Sequence, residues 1–123
     1  MAIKAVFFDA AGTLIKPARR VGESYAVVAK KFGVVVSPPQ LSERFRVCFD
    51  ASSPLAFPGA PATAIDGLER DWWKCLVWKI FQPWEPFERF DDYFTELFDY
   101  FARPDAWTLF PEVLETLSAL RGR

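Results

Sequence analysis

The sequence predicts an α/β chain that is mostly helix, and three observations carry this. The first is the run Ala5-Val6-Phe7-Phe8, which ends in Asp9 and leads into Gly12-Thr13. A continuous aromatic and β-branched run of this kind reads as a strand buried on both faces. The second is a series of five later stretches with apolar residues at helical spacing. The third is composition: 123 residues, 51% hydrophobic and 17% aromatic, enough apolar mass for the core of one domain.

The strand is expected at residues 3–9. Asp9 then stands at its carboxyl end, the edge where open parallel α/β sheets bind ligands. A lone carboxylate there needs a positive partner, and a hard cation such as magnesium, which takes oxygen ligands, is the natural one. Gly12 permits a sharp turn, and Thr13 offers a hydroxyl and an amide to an anion. Residues 10–21 read as a loop containing Pro17 and the basic residues Lys16, Arg19 and Arg20. That cluster is either a solvated turn or a rim that attracts anions.

A first helix is expected at about 22–32, with Tyr25, Val28, Ala29 and Phe32 on one face and Gly33 closing it. Ser37-Pro38-Pro39-Gln40 looks like a capping box with proline in the first turn. It opens a second helix, about 38–50, presenting Leu41, Phe45, Cys48 and Phe49. Residues 51–65, rich in Ala, Ser, Pro and Gly, form the expected mobile loop. Asp66, with Glu69 three residues on, is read as the cap of a third helix with two apolar rows. Leu68, Trp72, Cys75, Leu76 and Ile80 make one row; Trp73, Val77 and Phe81 make the other. Pro83 and Pro86 separate it from a fourth helix at about 86–102, whose apolar face is Phe87, Phe90, Phe94, Leu97, Phe98 and Phe101. Asp91 and Asp92 are helix neighbours pointing about 100° apart, so a solvated pair is expected rather than paired catalytic acids. Pro111 opens a last helix, about 111–120, with Val113, Leu114, Leu117 and Leu120 inward and Gly122 as its cap.

Composition also excludes. The formal net charge is −1, which gives no electrostatic case for nucleic acid. No stretch approaches the ~20 apolar residues that span a bilayer, and the N-terminus lacks the pattern of a signal peptide. There is no histidine, which removes Ser-His-Asp and Cys-His catalysis and most zinc sites. Cys48 and Cys75 have no metal spacing and read as free, buried thiols in a reducing cytosol.

Val6 to Leu14 resembles the first motif of the haloacid dehalogenase-like (HAD) hydrolases, Asp-x-Asp-Gly-Thr. Val21-Gly22 with Tyr25-Ala26, Trp72-Trp73, Asp92-Tyr93-Phe94, and Ala106-Trp107 with Phe110-Pro111 are similar to one branch of that family. This is the "rhythmically expressed" or domain-containing-three branch, and the similarity covers nearly the whole chain. The resemblance implies a Rossmann-like core with a helical cap inserted after the first strand. On it, 1–16 and 107–123 are incomplete core and 17–106 is the cap. It also implies Asp9 as nucleophile and magnesium ligand, and the Ala11 backbone carbonyl as a second metal ligand. Gly12 and Thr13 would lie at the phosphate, and the substrate would be a small phosphate ester or halo-acid. The chain departs from the motif at Ala11, where the phosphatases carry their general acid. Dehalogenases and phosphonoacetaldehyde hydrolases also lack that acid, and a halide leaving group needs no proton.

The strand, Ser/Thr, Lys and acidic pair that complete the family's site are not recognisable in these residues. The expectation is therefore a truncated chain without turnover of its own. The contrasting expectation is a non-catalytic binding module. In that reading Trp72, Trp73, Trp78, Trp84 and Phe81 form an exposed apolar patch rather than interior.

Overall fold

The computed structural model describes residues 2–84 and 87–122. Met1, Glu85, Pro86 and Arg123 fall outside the described residues, and with them Pro86 as the start of a helix. The fold is mostly helical with one small sheet. In chain order it runs β1 (Ile15–Pro17), α1 (Val21–Lys30), α2 (Pro38–Asp50), α3 (Ala62–Phe81), α4 (Phe90–Phe101), β2 (Trp107–Leu109) and α5 (Val113–Arg121). Short three-ten turns at Gln82–Trp84 and Pro104–Ala106 follow α3 and precede β2.

The helix starts and stops follow local chemistry. Ser37 caps α2, its Oγ accepting the Gln40 N–H at 3.4 Å and donating to Gln40 Oε1 at 3.0 Å. The chain leaves α1 through Gly33 at φ +80°. Val34 N–H then reaches Ala29 O at 3.1 Å and Gly33 N–H reaches Lys30 O at 3.1 Å, satisfying carbonyls the helix leaves open. At the far end of α3 the last carbonyls are taken from another helix: Arg44 Nη2 donates to Lys79 O at 2.6 Å and Nε to Ile80 O at 3.3 Å. A guanidinium there also complements the negative end of the helix dipole.

The core lies among α1 to α4. Tyr25, Val28 and Ala29 of α1 meet Leu41 of α2, Leu76, Val77, Ile80 and Phe81 of α3, and Phe90, Tyr93, Phe94 and Leu97 of α4. Most of the expected apolar faces are buried or half-buried, with Tyr93 added; Phe49 of α2 and Leu68 and Cys75 of α3, expected on those faces, are exposed. Its hydroxyl donates to the Tyr25 carbonyl at 3.2 Å, which settles a polar atom deep in the core. α1 and α2 approach closely at Gly22. Its N–H donates to Ser42 Oγ at 3.1 Å, and a Cβ at Gly22 would collide with the Pro38 carbonyl oxygen and with Ser42.

Five expectations are corrected. Residues 3–9 form no strand and are exposed. A buried strand needs neighbours for its N–H and C=O groups, and no described segment lies alongside to supply them. Pairing occurs instead where a loop was expected: β1 and β2 run antiparallel, with Ile15 opposite Leu109, Lys16 opposite Thr108 and Pro17 opposite Trp107. α3 begins at Ala62, behind Pro61, so Asp66 lies inside the helix and does not cap it. Val113 is buried, but Leu114, Leu117 and Leu120 are exposed, because no described element packs on that face of α5. Finally, the cysteines are free; Cys48 is half-buried and Cys75 is exposed rather than buried.

Candidate functional site

The motif residues form a compact loop. The carbonyl of Ala10 accepts three backbone N–H groups, from Thr13 at 3.1 Å, Leu14 at 2.8 Å and Ile15 at 3.1 Å. Gly12 closes the turn at φ +84°, in the left-handed region that favours glycine, and donates its N–H to Ile15 O at 2.8 Å. Two consequences follow. The Gly12 and Thr13 amides expected to receive an anion are engaged inside the loop. The Ala11 carbonyl, in contrast, accepts none of the loop's hydrogen bonds, and Asp9 is exposed and makes no ion pair among the described residues. One carboxylate and one free carbonyl are hard oxygen donors of the kind magnesium takes, and magnesium retains several waters and substrate oxygens besides. They suit that ion as part of a site. Among the described residues, however, no group of three or more acids or cysteines could hold a metal.

The loop is joined to the helices by the two-stranded sheet. Phe110 N–H donates to Leu14 O at 3.1 Å and Ala18 N–H to Ala106 O at 2.8 Å, flanking the β1–β2 pairs. The chain therefore enters and leaves the α1–α4 block at one place, directly beyond the motif. Trp107 of β2 locks this junction to α4, its Nε1 donating to Phe101 O at 2.8 Å.

Beside the junction lies a partly enclosed cavity of about 470 Å³, bordered by Ala11 and by Tyr25, Phe45, Trp73, Phe98 and Trp107 among others. Its size is that of a small-molecule pocket. A second, shallower cleft of about 560 Å³ runs between α3 and α4 past Lys74, Arg89, Asp91 and Asp92. Its two basic residues each pair with an acid: Lys74 Nζ to Asp91 at 2.9 Å, Arg89 to Asp92 at 3.0 Å. The two aspartates thus have separate partners in solvent, as expected of helix neighbours.

The sequence placed Asp9, Ala11, Gly12 and Thr13 together, and the structure has them on one loop. It gave no sign that Tyr25, Trp73 and Trp107 would border a space touching that loop. Tyr25 and Trp73 read from the sequence as ordinary core, since periodicity marks an apolar face without telling whether the space before it is filled, and Trp107 enters only through the family resemblance. The expected tryptophan patch is divided between interior and surface: Phe81 is buried, Trp72, Trp73 and Trp84 are half-buried, and the exposed Trp78 lies edge-on to Phe90 with centroids 4.9 Å apart. Trp72 also holds the 51–61 loop, its Nε1 donating to Ser53 O at 3.0 Å. Of the basic cluster, Lys16 lies over the Phe110 ring at 5.4 Å, and Arg19 and Arg20 are exposed.

The motif loop thus meets an apolar cavity at Ala11, on a mostly helical scaffold. The family described as haloacid dehalogenase-like hydrolase matches residues 3–123, and the chain belongs to that family. It is similar to "Haloacid dehalogenase-like hydrolase domain-containing protein 3" of Danio rerio, at 29% identity over 95% of this chain and 48% of the relative. The protein of the same name from Mus musculus is 31% identical over 98% of this chain and 48% of its own length. That from Xenopus laevis is 28% identical over 97% and 49% respectively. The chain thus spans about half the length of the curated relatives it matches. Among the described residues, no helix is long and apolar enough to cross a membrane.

Proposed function

We propose that these residues are the portion of a magnesium-dependent HAD-like hydrolase that carries the nucleophile and the helical cap, acting in the cytoplasm on a small molecule. In this reading 17–106 is the cap, and 1–16 and 107–123 belong to a core completed by further polypeptide. The observation that carries it is the Ala10–Ile15 loop, which leaves the Asp9 carboxylate and the Ala11 carbonyl free while the Gly12, Thr13, Leu14 and Ile15 amides bond within the loop. The β1–β2 junction supports the boundaries, since an inserted cap leaves and rejoins its core at adjacent points. The exposed apolar residues of 3–8 and of α5 are what a larger core would cover.

The chemistry assigned to Asp9 is nucleophilic. Its carboxylate oxygen attacks phosphorus, the ester oxygen leaves with the bond's electron pair, and water then cleaves the O–P bond of the aspartyl phosphate, releasing phosphate and the free carboxylate. Bound magnesium would offset the charge on the phosphoryl oxygens. Ala11 has no proton to give the departing oxygen. General acid catalysis is worth typically 10²–10⁴-fold, so this enzyme should favour leaving groups stable as anions, an aryl oxide or a halide among them.

The test compares two polypeptides. The 123-residue chain alone is expected to hydrolyse no 4-nitrophenyl phosphate with magnesium. Joined to the second half of the Mus musculus relative it is expected to do so, with activity lost on chelation and in Asp9→Asn. Turnover by the short chain, or activity in the joined protein that survives Asp9→Asn, would overturn the reading.

A further inference from the structure

The cavity beside Ala11 has a lining that selects its occupant. Its walls are aromatic and aliphatic: Phe45 and Trp73 on α2 and α3, Phe98 on α4, and Trp107 on β2. No Asp, Glu, Lys or Arg borders it. A charged or sugar-like group placed there would lose its water without gaining partners, at a cost of a few kcal/mol per unpaired polar group. Flat apolar groups suit it, because aromatic walls prefer edge-on and offset contacts with rings.

Three of the lining side chains carry a polar atom, Tyr25, Trp73 and Trp107. Tyr25 is 3% exposed and its hydroxyl makes no hydrogen bond among the described residues. Burial pushes its phenol well above the ordinary tyrosine range, so it stays neutral and able to donate. No described side-chain N or O is both wholly enclosed and unpaired. The Tyr25 hydroxyl therefore keeps contact with open space, and the open space that Tyr25 borders is this cavity. Of the two indoles, that of Trp107 is already bonded to Phe101 O.

We propose that the cavity binds the organic part of the substrate, and that this part is an uncharged aromatic group of one or two rings carrying at most one hydrogen-bonding atom, met by Tyr25. The inference rests on the hydrolase reading for the words "of the substrate"; the pocket's preference for aryl groups stands on the lining alone. Ala11 contributes to both. It borders the cavity, and a carboxylate at this position would bring a charge beside an apolar space. An aryl oxide is also the kind of leaving group that manages without the missing acid.

The test reads binding without chemistry. 2-Naphthol has no bond to hydrolyse, so calorimetric titration of the 123-residue chain with it reports the pocket only. Saturable one-to-one binding is expected, with none for glycerol 3-phosphate. Val77→Phe, which places a ring where Val77 borders the cavity, is expected to weaken 2-naphthol at least tenfold. Tyr25→Phe keeps the shape and removes one hydrogen bond, so a loss of about 3- to 10-fold is expected for 2-naphthol and none for naphthalene. Absence of saturable binding to folded chain, or binding that Tyr25→Phe leaves unchanged, would overturn the proposal. If 2-naphthol binds but the joined protein shows no Asp9-dependent turnover, the hydrolase reading has failed and the pocket stands. If the joined protein turns over glycerol 3-phosphate faster than 2-naphthyl phosphate, the substrate class has failed and the hydrolase reading stands.

Discussion

Two regions of this molecule are built from similar residues and end differently. In the α1–α4 block, Leu41, Ile80 and Tyr93 are fully buried. In residues 2–9 and α5, Ile3 is 84% exposed, Phe7 94% and Leu114 66%. Hydrophobicity does not separate the two regions; supply of partners does. A helix closes its own backbone hydrogen bonds, so four helices need only turn their apolar sides together. A strand closes none by itself, and a helix with one apolar stripe needs a surface to lay it on. The block finds both requirements within its own residues. The segment before the motif and α5 do not find them among the described residues.

The comparison breaks most easily at a core aromatic. Phe94→Ala in α4 should cost about 3–5 kcal/mol of unfolding free energy, because Phe94 is 1% exposed among Phe90, Phe98 and the Arg70 guanidinium. Phe7→Ala, an identical change of side chain, should stay within about 0.5 kcal/mol. Urea denaturation followed by circular dichroism measures both. Equal losses would mean that Phe7 packs in solution and that the two regions are not different in kind.

Next in size is Gly22→Ala. A single methyl there meets the Pro38 carbonyl and Ser42, and backbone cannot rotate out of the way as a side chain can. α1 and α2 must separate and the Gly22 N–H to Ser42 Oγ bond must lengthen. Overpacking of this kind costs typically 1–3 kcal/mol. Gly67→Ala is the control: it lies in α3 with nothing within reach of a Cβ, and should be neutral or slightly stabilising.

How much of this was legible follows the same division. α1, α2 and their stops were readable because their signals are local: Ser37 with its prolines, Gly33 after an apolar face. The start of α3 was misread because Asp66 and Glu69 imitate a cap inside a helix that Pro61 and Ala62 had already begun. The strand at 3–9 was misread for another reason. Its residue pattern says what the segment requires, and whether the requirement is met depends on residues far away. The β1–β2 pair was missed because three residues are too few for a period of two, and Pro17 demotes a strand when met alone. At the motif loop the turn at Gly12 was legible and the hydrogen bonding was not: nothing in the sequence showed that the Thr13 amide would be used by Ala10. The cavity was not legible at all, since it is what four apolar faces leave unfilled.

A smaller effect sharpens the comparison through pH. Burial holds the phenols of Tyr25 and Tyr93 well above their ordinary value. The unfolded chain ionises them near pH 10 while the folded block keeps them neutral. Below that pH both states are protonated and stability is complete. As pH rises above it the unfolded state alone gains by losing protons, so stability falls. Tyr25→Phe should move the alkaline unfolding limb to higher pH, seen as phenolate absorbance appearing together with loss of helix signal. Phenolate absorbance that rises before the helix signal falls would show that these phenols ionise within the native block and that burial does not hold them neutral.

The smallest expected effect lies on the surface of α2, where Arg46 holds the Glu43 carboxyl below its ordinary value through a hydrogen bond of 2.6 Å and its charge. A lowered carboxyl stabilises above its unfolded pKa, near 4.3, and loses that contribution as pH falls through the folded value. Both side chains are largely exposed, so solvent and salt screen the pair. Glu43→Gln should leave the midpoint of urea unfolding at neutral pH within error, and added salt should erase any difference that remains. A loss comparable to Phe94→Ala would mean that surface charge, rather than the aromatic interior, holds the block together, and the contrast between the two regions would have to be redrawn in those terms.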